Sequence, residues 1–593
     1  MKEKDLIKTI NDASAEAKST WQPLFDNIEE ENDFYAGNQW EHGDLKNVRA
    51  ADAIPVTINI IKKQVDSLVG KRLATLTDLR AYPVEFNDDM ISTILTRTLK
   101  WVTDLCNAQS TVTGGHKDQI IGGLGWLHTY MDFSDDFVSG DIKISHESYR
   151  NILPDPHFRN LDLSDADYVI RYKLISKSAL KLQFPDKAEE IENLKGDGDT
   201  IFKFNKVEGS RNSRVVVKEY WYKHTTKKTY LVNKYDPSDR EEWGGDKDRL
   251  RVFLNLNPDV MSVERDETTI RVATLADGKL LLQDVQNPYS NKPYFPFIPI
   301  IGYYNSSTED WEDKICGHVR ALIFPQMEKN ARRSAMLTVT MKFPRMAWIM
   351  EEGAVKDIAD LKRLGGSQGV ITKRPGRALN LQTQAGLPTS EVQLEQMFSS
   401  DLNQVGLVPE VIGAPSDLTS AKAMSLVQAT GLIPVAELNE HLNFALRLLG
   451  QQIIDLALQH FDDRKFQLIV GDGIQIDPAM IEKAKKSTRY DIKIDETTHS
   501  VTSQMAAYES IMQGVQHGIQ TPYTTLVETN PYMPADVKQK AIEQYQQQMQ
   551  QQQAMAQQQQ QHEMGMQQQK QQGDMAMQQR QLEAQAQQQQ GGM

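Results

Sequence analysis

Asp88-Asp89, Asp135-Asp136, Asp155 and Asp162 are the residues whose type best suits chemistry, since grouped carboxylates can hold magnesium for phosphodiester cleavage. They fall in segments that read as turns, several with Pro, Ser or Asn beside them, where aspartate is common simply because it accepts backbone hydrogen bonds. Turn capping is the expected role. The run GGHKDQIIGGLGW, Gly114 to Trp126, brings two glycine pairs and a lysine together but lacks the G-x-x-x-x-G-K-[ST] order that cradles phosphates. His116 and His128 read as packed or solvated. With no C-x-x-C pair, no H-E-x-x-H helix and no closely spaced histidines, the expectation is no catalytic residue, no metal and no cofactor.

Charge is more informative than catalysis. The chain carries 80 acidic against 66 basic residues, a formal net charge of -14, and a tight general nucleic-acid binder would be more basic. Against that background Lys342, Arg345, Lys356, Lys362, Arg363, Lys373, Arg374 and Arg377 face only Glu351, Glu352, Asp357 and Asp360, a local surplus of four. A solvated face would explain it, and so would docking onto an acidic partner or nucleic acid. Cys106 and Cys316 are too few for a disulfide framework and fit a reducing compartment. The N-terminal MKEKDLIKTINDASAEAK lacks a signal-peptide core, and no run nears the roughly 18 apolar residues of a spanning helix. The protein is expected to be soluble when made, without membrane contact.

The 593 residues must position these groups in several domains rather than one globule. Leu6, Ile10, Ala13, Ala17, Leu24 and Ile28 follow helical spacing, interrupted at Pro23, and lead to the aromatic cluster FYAGNQW, Phe34 to Trp40. A second helical stretch starts at Ile54 and runs to Gly70, and a third covers Ile91 to Leu105. The glycines of GGLGW mark a switch to strands. From there to about Asn305 the period approaches two, at Ile142 and Ile144, Tyr168 to Tyr172, Val215 and Val217, and Ile270 to Thr274. Asp277-Gly278 between two such runs suits a tight hairpin. This middle portion reads as a mixed sheet, with Asp236 to Arg251 as a surface loop.

Helix dominates from Asp310 to about Asp463. Ile315, Val319, Leu322 and Ile323 have helical spacing, and Lys329, Arg332 and Arg333 could face charge or solvent. Ser420 to Phe461 reads as a long helix bent or broken near Gly431 and Pro434. Phe466 to Val470 and Arg489 to Ile494 read as a late strand pair completing the sheet domain, and Ser503 to Gly518 as a helix. Gln544 to Gln590 is mostly glutamine broken by methionines, and fits either a disordered tail or a helix ordered only between copies.

Several runs resemble one family. Gly125 to Asp186 carries Gly-Trp, an acidic hairpin, a Pro-Asp-Pro turn, Leu-Ser-Asp-Ala-Asp before a strand and a Phe-Pro ending, a long and specific pattern of phage portal proteins. FYAGNQW, PFIPIIGYYN from Pro296, HVRALIFPQMEKNARRSAMLT with FPRMAWIM, and RYDIKIDETTHSVTSQMAAYESIMQGV from Arg489 look like the corresponding segments. The similarity is to the large portal proteins of short-tailed phages and covers roughly Phe34 to Val515.

The resemblance implies an α+β portal fold: a mixed-sheet wing with an N-terminal arm over 1–310, a first stem helix over 311–342, an α/β clip over 343–388 and a second stem helix over 389–405. A channel loop would follow over 406–419, including Val408, Pro409, Glu410, Val411 and Ile412. The long helix and returning wing strands would take 420–500, a helical crown 501–543 and the Gln/Met-rich tail 544–593. It also implies a homo-oligomeric ring, usually of twelve copies, made in the host cytoplasm and placed in the virion at the portal vertex. Its partners would be the major capsid protein, terminase, a tail adaptor and double-stranded DNA passing non-specifically. Lys329, Arg332 and Arg333 would then form a stem ring or pair with a neighbouring subunit, and Arg345, Lys356, Lys362, Arg363, Lys373, Arg374 and Arg377 a docking surface on the clip. The rival readings are a non-portal head-tail adaptor or scaffold and a DNA-packaging enzyme.

Overall fold

The computed structural model describes residues 3–40, 54–83, 89–194, 214–235, 240–342, 347–352, 375–382, 405–407, 430–471, 490–498 and 522–530, with short stretches near 43–49, 393–401, 508–516 and 533–577. The chain divides into two compact units, Met1–Leu73 with Thr77–Asp495, and Ala74–Leu76 with Glu496–Met593.

The larger unit opens with α1 (Glu3–Ala36), a single helix that runs straight through Pro23. A proline inside a helix costs about 3 kcal/mol. The buried Leu6, Ile10, Trp21, Leu24, Phe25 and Ile28 each contribute about 1.5–3 kcal/mol, so packing outweighs the break read from sequence. Residues 54–59 are extended rather than helical, and α2 (Ile60–Ala74) begins only after them. Strand β1 (Thr75–Pro83), α3 (Asp89–Leu105) and α4 (Ala108–Gly122) follow.

Two antiparallel sheets make up the middle of the chain, where a mixed sheet was expected; short hairpin returns favour antiparallel neighbours. The first orders β10 (Phe297–Ile301), β2 (Leu124–Asp132) and β3 (Asp141–Glu147). The second orders β4 (Ile152–Pro154), β5 (Tyr168–Ser176), β6 (Arg214–Asn233), β8 (Val260–Ala276) and β9 (Leu280–Gln286), with β7 (Arg240–Glu242) on the outer part of β6. Helix α5 (Lys177–Gln183) follows β5. Asp277 and Gly278 take φ of 52° and 68°, the two positive values that a type I′ hairpin turn needs between β8 and β9. The stretch read as a loop from Asp236 contains β7 and the start of α6 (Lys247–Leu256), whose Trp243–Phe253 contact fixes it.

Strand β11 (Tyr303–Tyr304) pairs with β12 (Ile315–Cys316), and only then does α7 (Arg320–Lys342) begin. The helix expected from residue 311 is therefore split, because Gly317 crosses directly over the α4 terminus. Strands β13 (Ala347–Met350) and β14 (Leu379–Gln382) form an antiparallel pair. A turn at Ile433–Val435 leads into α8 (Ala436–His460), consistent with a break near Pro434.

Phe466 to Val470 belongs to helix α9 (Asp463–Val470), not a strand. Asp462 caps it by accepting from the Lys465 amide at 2.8 Å, and Phe466 and Val470, four apart, are buried on one face. The late strand β15 (Tyr490–Thr498) pairs instead with β1, far earlier in the chain. In the smaller unit, α10 (Tyr523–Thr529) brings the Tyr523 ring to 5.0 Å from Tyr545.

Candidate functional site

The root of α7 gathers hydrogen bonds from several separate parts of the chain. Gln326, Asn330 and Ser334 recur every fourth residue and so lie along one helical face, all three buried. They serve as hydrogen-bond partners to the extended segment 54–59 and the first residue of α2, which have no strand neighbour among the described residues. Asn330 Oδ1 accepts from the Ile58 amide at 3.1 Å, Ser334 Oγ from Val56 at 2.8 Å and Gln326 Oε1 from Ile60 at 3.3 Å. In return Gln326 Nε2 donates to the Ile58 carbonyl at 2.6 Å, and Asn330 Nδ2 to Gln39 Oε1 at 2.6 Å. A half-buried backbone without partners would be costly, so these two amides and a hydroxyl take the place of a strand neighbour.

Two further contacts hold the first turn. Arg320 Nε donates to Glu31 Oε1 on α1 at 2.7 Å, and its guanidinium also reaches the Glu312 carbonyl. Trp311 stacks on Trp21 and Phe158 at 4.5 and 4.8 Å and donates to the Pro156 carbonyl at 3.0 Å. Gln64 on α2 accepts from the Leu407 amide at 3.2 Å and meets His318 Nε2 at 3.3 Å, tying residue 407 to the same root.

Burial pushes the Glu31 carboxyl up to about 7 from its ordinary 4.5, with Arg320 opposing. The folded chain thus binds this proton more tightly than the unfolded one, so the group's stabilisation is whole below pH 4.5 and lost as pH rises toward 7. The unfolding free energy from urea titrations is expected to fall by up to roughly 3 kcal/mol across that window from this group, and Glu31→Gln to flatten that fall. A variant whose midpoint still tracks the wild type across the window would contradict this.

The charged residues singled out in sequence occupy other parts of α7. Arg332 lies on the far side from Asn330 and approaches Glu328 at 3.5 Å, one turn away. Lys329 is half-buried and Arg333 exposed. Arg377 is exposed beside β14. Arg345, Lys356, Lys362, Arg363, Lys373 and Arg374 lie outside the described residues, as do Val408, Pro409, Glu410, Val411 and Ile412. Most of the second stem helix, the 420–429 stretch and most of the 544–593 tail also lie outside them. The Gln326, Asn330 and Ser334 ladder was missed, although its spacing of four was visible, because neutral amides carry no charge signal.

The carboxylates cap turns. Asp155 accepts from the His157 and Asp167 amides at 2.9 Å, Asp162 from Ser164 at 2.9 Å, and Asp136 from Val138 and Ser139 at 3.0 and 3.1 Å. Asp88 and the Asp89 side chain lie outside the described residues. His116 is buried against Gln119 at 2.7 Å, and burial lowers it to about 4. His128 stacks between Tyr130 and Phe297, and burial holds it well below its usual range. Among the described residues no three His, Cys, Asp or Glu gather as a metal site needs, and no helix is long and apolar enough to cross a membrane.

The residues gathered here fix a long helix to several separated segments of the chain. The chain belongs to the phage P22-like portal protein family, whose model matches residues 12–593. It is 20% identical over 478 residues to the portal protein of Helicobacter pylori bacteriophage KHP30, a match covering 77% of this chain and 69% of that protein. The family is one of structural proteins. Membership gives this chain a phage portal role, in an oligomeric ring associated with the capsid at one vertex of the virion.

Proposed function

We propose that twelve copies of this chain form the ring through which double-stranded DNA is packaged and ejected, with terminase docking during filling and a tail adaptor afterwards. The observation that carries this reading is the family match across nearly the whole chain, from residue 12 to 593. Electrostatics supports the manner of DNA passage. If each of twelve subunits neutralised one phosphate, affinity would fall with salt at a slope of about 11, comparable to a tight repressor, and movement would stall. A net charge of -14 favours a lining that is mostly acidic or neutral with few cationic rings.

On this reading α7 is the first stem helix, β13 and β14 belong to the clip, and residues 406–419 form the channel loop. Lys329, Arg332 and Arg333 stand toward a neighbouring stem, since a closed ring needs heterologous contacts all round. The clip surplus from Arg345 to Arg377 presents a basic surface to motor and adaptor. The protein makes and breaks no bond.

Mass photometry of the purified chain at micromolar concentration is expected to show closed oligomers, and negative-stain views down the axis a central opening. Deleting residues 544–593 is expected to leave the rings intact. Loss of assembly on that deletion would favour a scaffold that associates through its glutamine-rich tail. Monomers in both forms across a range of salt would refute the ring.

A further inference from the structure

The turn between β2 and β3 exposes what a folded chain normally hides. Phe137 and Val138 stand side by side at its tip, 84% and 81% exposed. Their presentation is fixed rather than loose. Asp136 accepts from the Val138 and Ser139 amides, and Gly140, at φ 61°, donates its amide to the Asp136 carbonyl at 3.0 Å. Lys465 on α9 then bridges Asp136 at 3.1 Å and Asp141 at 2.9 Å and reaches the Gly140 carbonyl. Its ammonium lies 4.5 Å from the Phe461 ring centroid. A tip held this firmly loses little freedom on binding, which is the usual requirement for an anchor side chain.

A matching surface lies on another part of the same chain. Beyond Tyr222, where β5 ends, β6 and β8 run on as a ribbon of roughly 35 Å, at about 3.3 Å per residue, with only β7 beside it. Near its end α6 and Trp243 enclose an open groove of about 440 Å³, lined by Trp243, Asp248, Arg249, Val252, Phe253 and Leu256. Its floor is set by the Trp243–Phe253 contact at 5.4 Å and by the Trp243 amide donating to the Thr229 carbonyl at 2.8 Å. Val252 and Leu256 are 60% and 74% exposed. A two-stranded ribbon is marginal alone, and one ending in an uncovered apolar helix face calls for a cover.

Charge selects the occupant. Asp135 is exposed beside Phe137, Arg249 lines the groove, and neither makes an ion pair among the described residues. Asp248 also lines the groove but lies 4.0 Å from Arg251, so Arg249 is the charge left to meet the acid beside the apolar tip. The two surfaces differ, so the contact is heterologous, and repeated by rotation it generates a ring. We infer that Phe137 and Val138 of one copy insert into the Trp243, Val252, Phe253 and Leu256 groove of the next copy, with Asp135 facing Arg249 across the joint. This contact rests on the ring reading above and specifies where neighbouring subunits meet.

The test uses the full chain carrying Phe137→Cys and Val252→Cys together. Mild oxidation of assembled rings is expected to give a ladder of covalent multimers on a denaturing gel without reductant, while either single variant gives none. Phe137→Ala, at a position too exposed to affect folding, is expected to raise the half-assembly concentration about 30-fold. Asp135→Arg and Arg249→Asp are each expected to weaken assembly, and the pair together to recover it. Assembled rings of the double-cysteine chain that give no ladder, or Phe137→Ala rings assembling at wild-type concentration, would overturn the contact and leave the ring reading standing. A wild-type chain that stays monomeric would overturn both.

Discussion

Alanine in place of Gly317 is expected to destabilise the larger unit by about 3 kcal/mol or more, enough to remove much of a typical domain's margin. A Cβ at this position would lie 2.0 Å from the Ile121 carbonyl oxygen, 2.4 Å from its carbon and 2.8 Å from the Gly122 nitrogen. All three are backbone atoms, so no side chain can turn aside. Nor can the backbone slide, because the His318 amide donates to the Ile120 carbonyl at 2.7 Å and the Gly302 amide to Gly123 at 2.7 Å. Three segments of chain, around 120–123, 302 and 317–318, therefore cross at van der Waals distance just before α7 begins. Urea unfolding followed by tryptophan fluorescence measures the loss. Gly244→Ala, where an added Cβ meets nothing within 4 Å, serves as the control and is expected to stay within about 0.5 kcal/mol. A Gly317→Ala midpoint equal to that control would refute the close-crossing account.

That crossing shows how far the sequence could be read. GGLGW correctly marks the end of α4 and the start of β2, because a glycine pair in a helical pattern is a local signal. The reason for glycine at 125 is not local: its Cβ would fall 2.2 Å from the Gly115 carbonyl oxygen, and only the packed helix supplies that atom. Asp277-Gly278 was legible for the opposite reason, since a hairpin turn is decided by its own two dihedrals. FQLIV at 466–470 misled because apolar runs of this length suit either strand or helix. The Asp462 cap and the burial of Phe466 and Val470 decided it, and the strand partner of β15 lies more than 400 residues earlier.

The same distinction separates the site residues. Sequence reasoning favoured Lys329, Arg332 and Arg333 because charge is conspicuous in an acidic chain. The groups that fix the helix are neutral amides and a hydroxyl, whose task appears only when an extended segment without a strand partner is laid beside them. Hydrogen-bond demand of this kind is set by tertiary structure, so no window of sequence around α7 contains it.

Asn330→Ala is the second large effect, expected at about 3 kcal/mol. The one Asn330 amide accepts from Ile58 and from Gln326 at 3.0 Å and donates to Gln39, so its loss leaves the half-buried Ile58 amide and the buried Gln39 oxygen without these partners, while Gln326 keeps the Ile58 carbonyl. Each orphaned buried group costs about 1–3 kcal/mol, whereas an exposed polar substitution would stay within about 0.5 kcal/mol. The damage should be local before it is global, because the core beneath α1 and the sheets does not depend on this amide. Hydrogen exchange at the Val56, Ile58 and Ile60 amides is therefore expected to speed up well before exchange in β5 or β6 changes. A Gln326→Ala change made alone and then together with Asn330→Ala should couple by at least about 0.5 kcal/mol, since both side chains serve the Ile58 peptide. Additive losses, or unchanged protection at 54–60, would mean that the segment is held by something other than this ladder. On the proposed reading the ladder matters to function because a stem helix beside moving DNA must keep its root fixed, and neutral amides can fix it without adding charge that would grip the DNA.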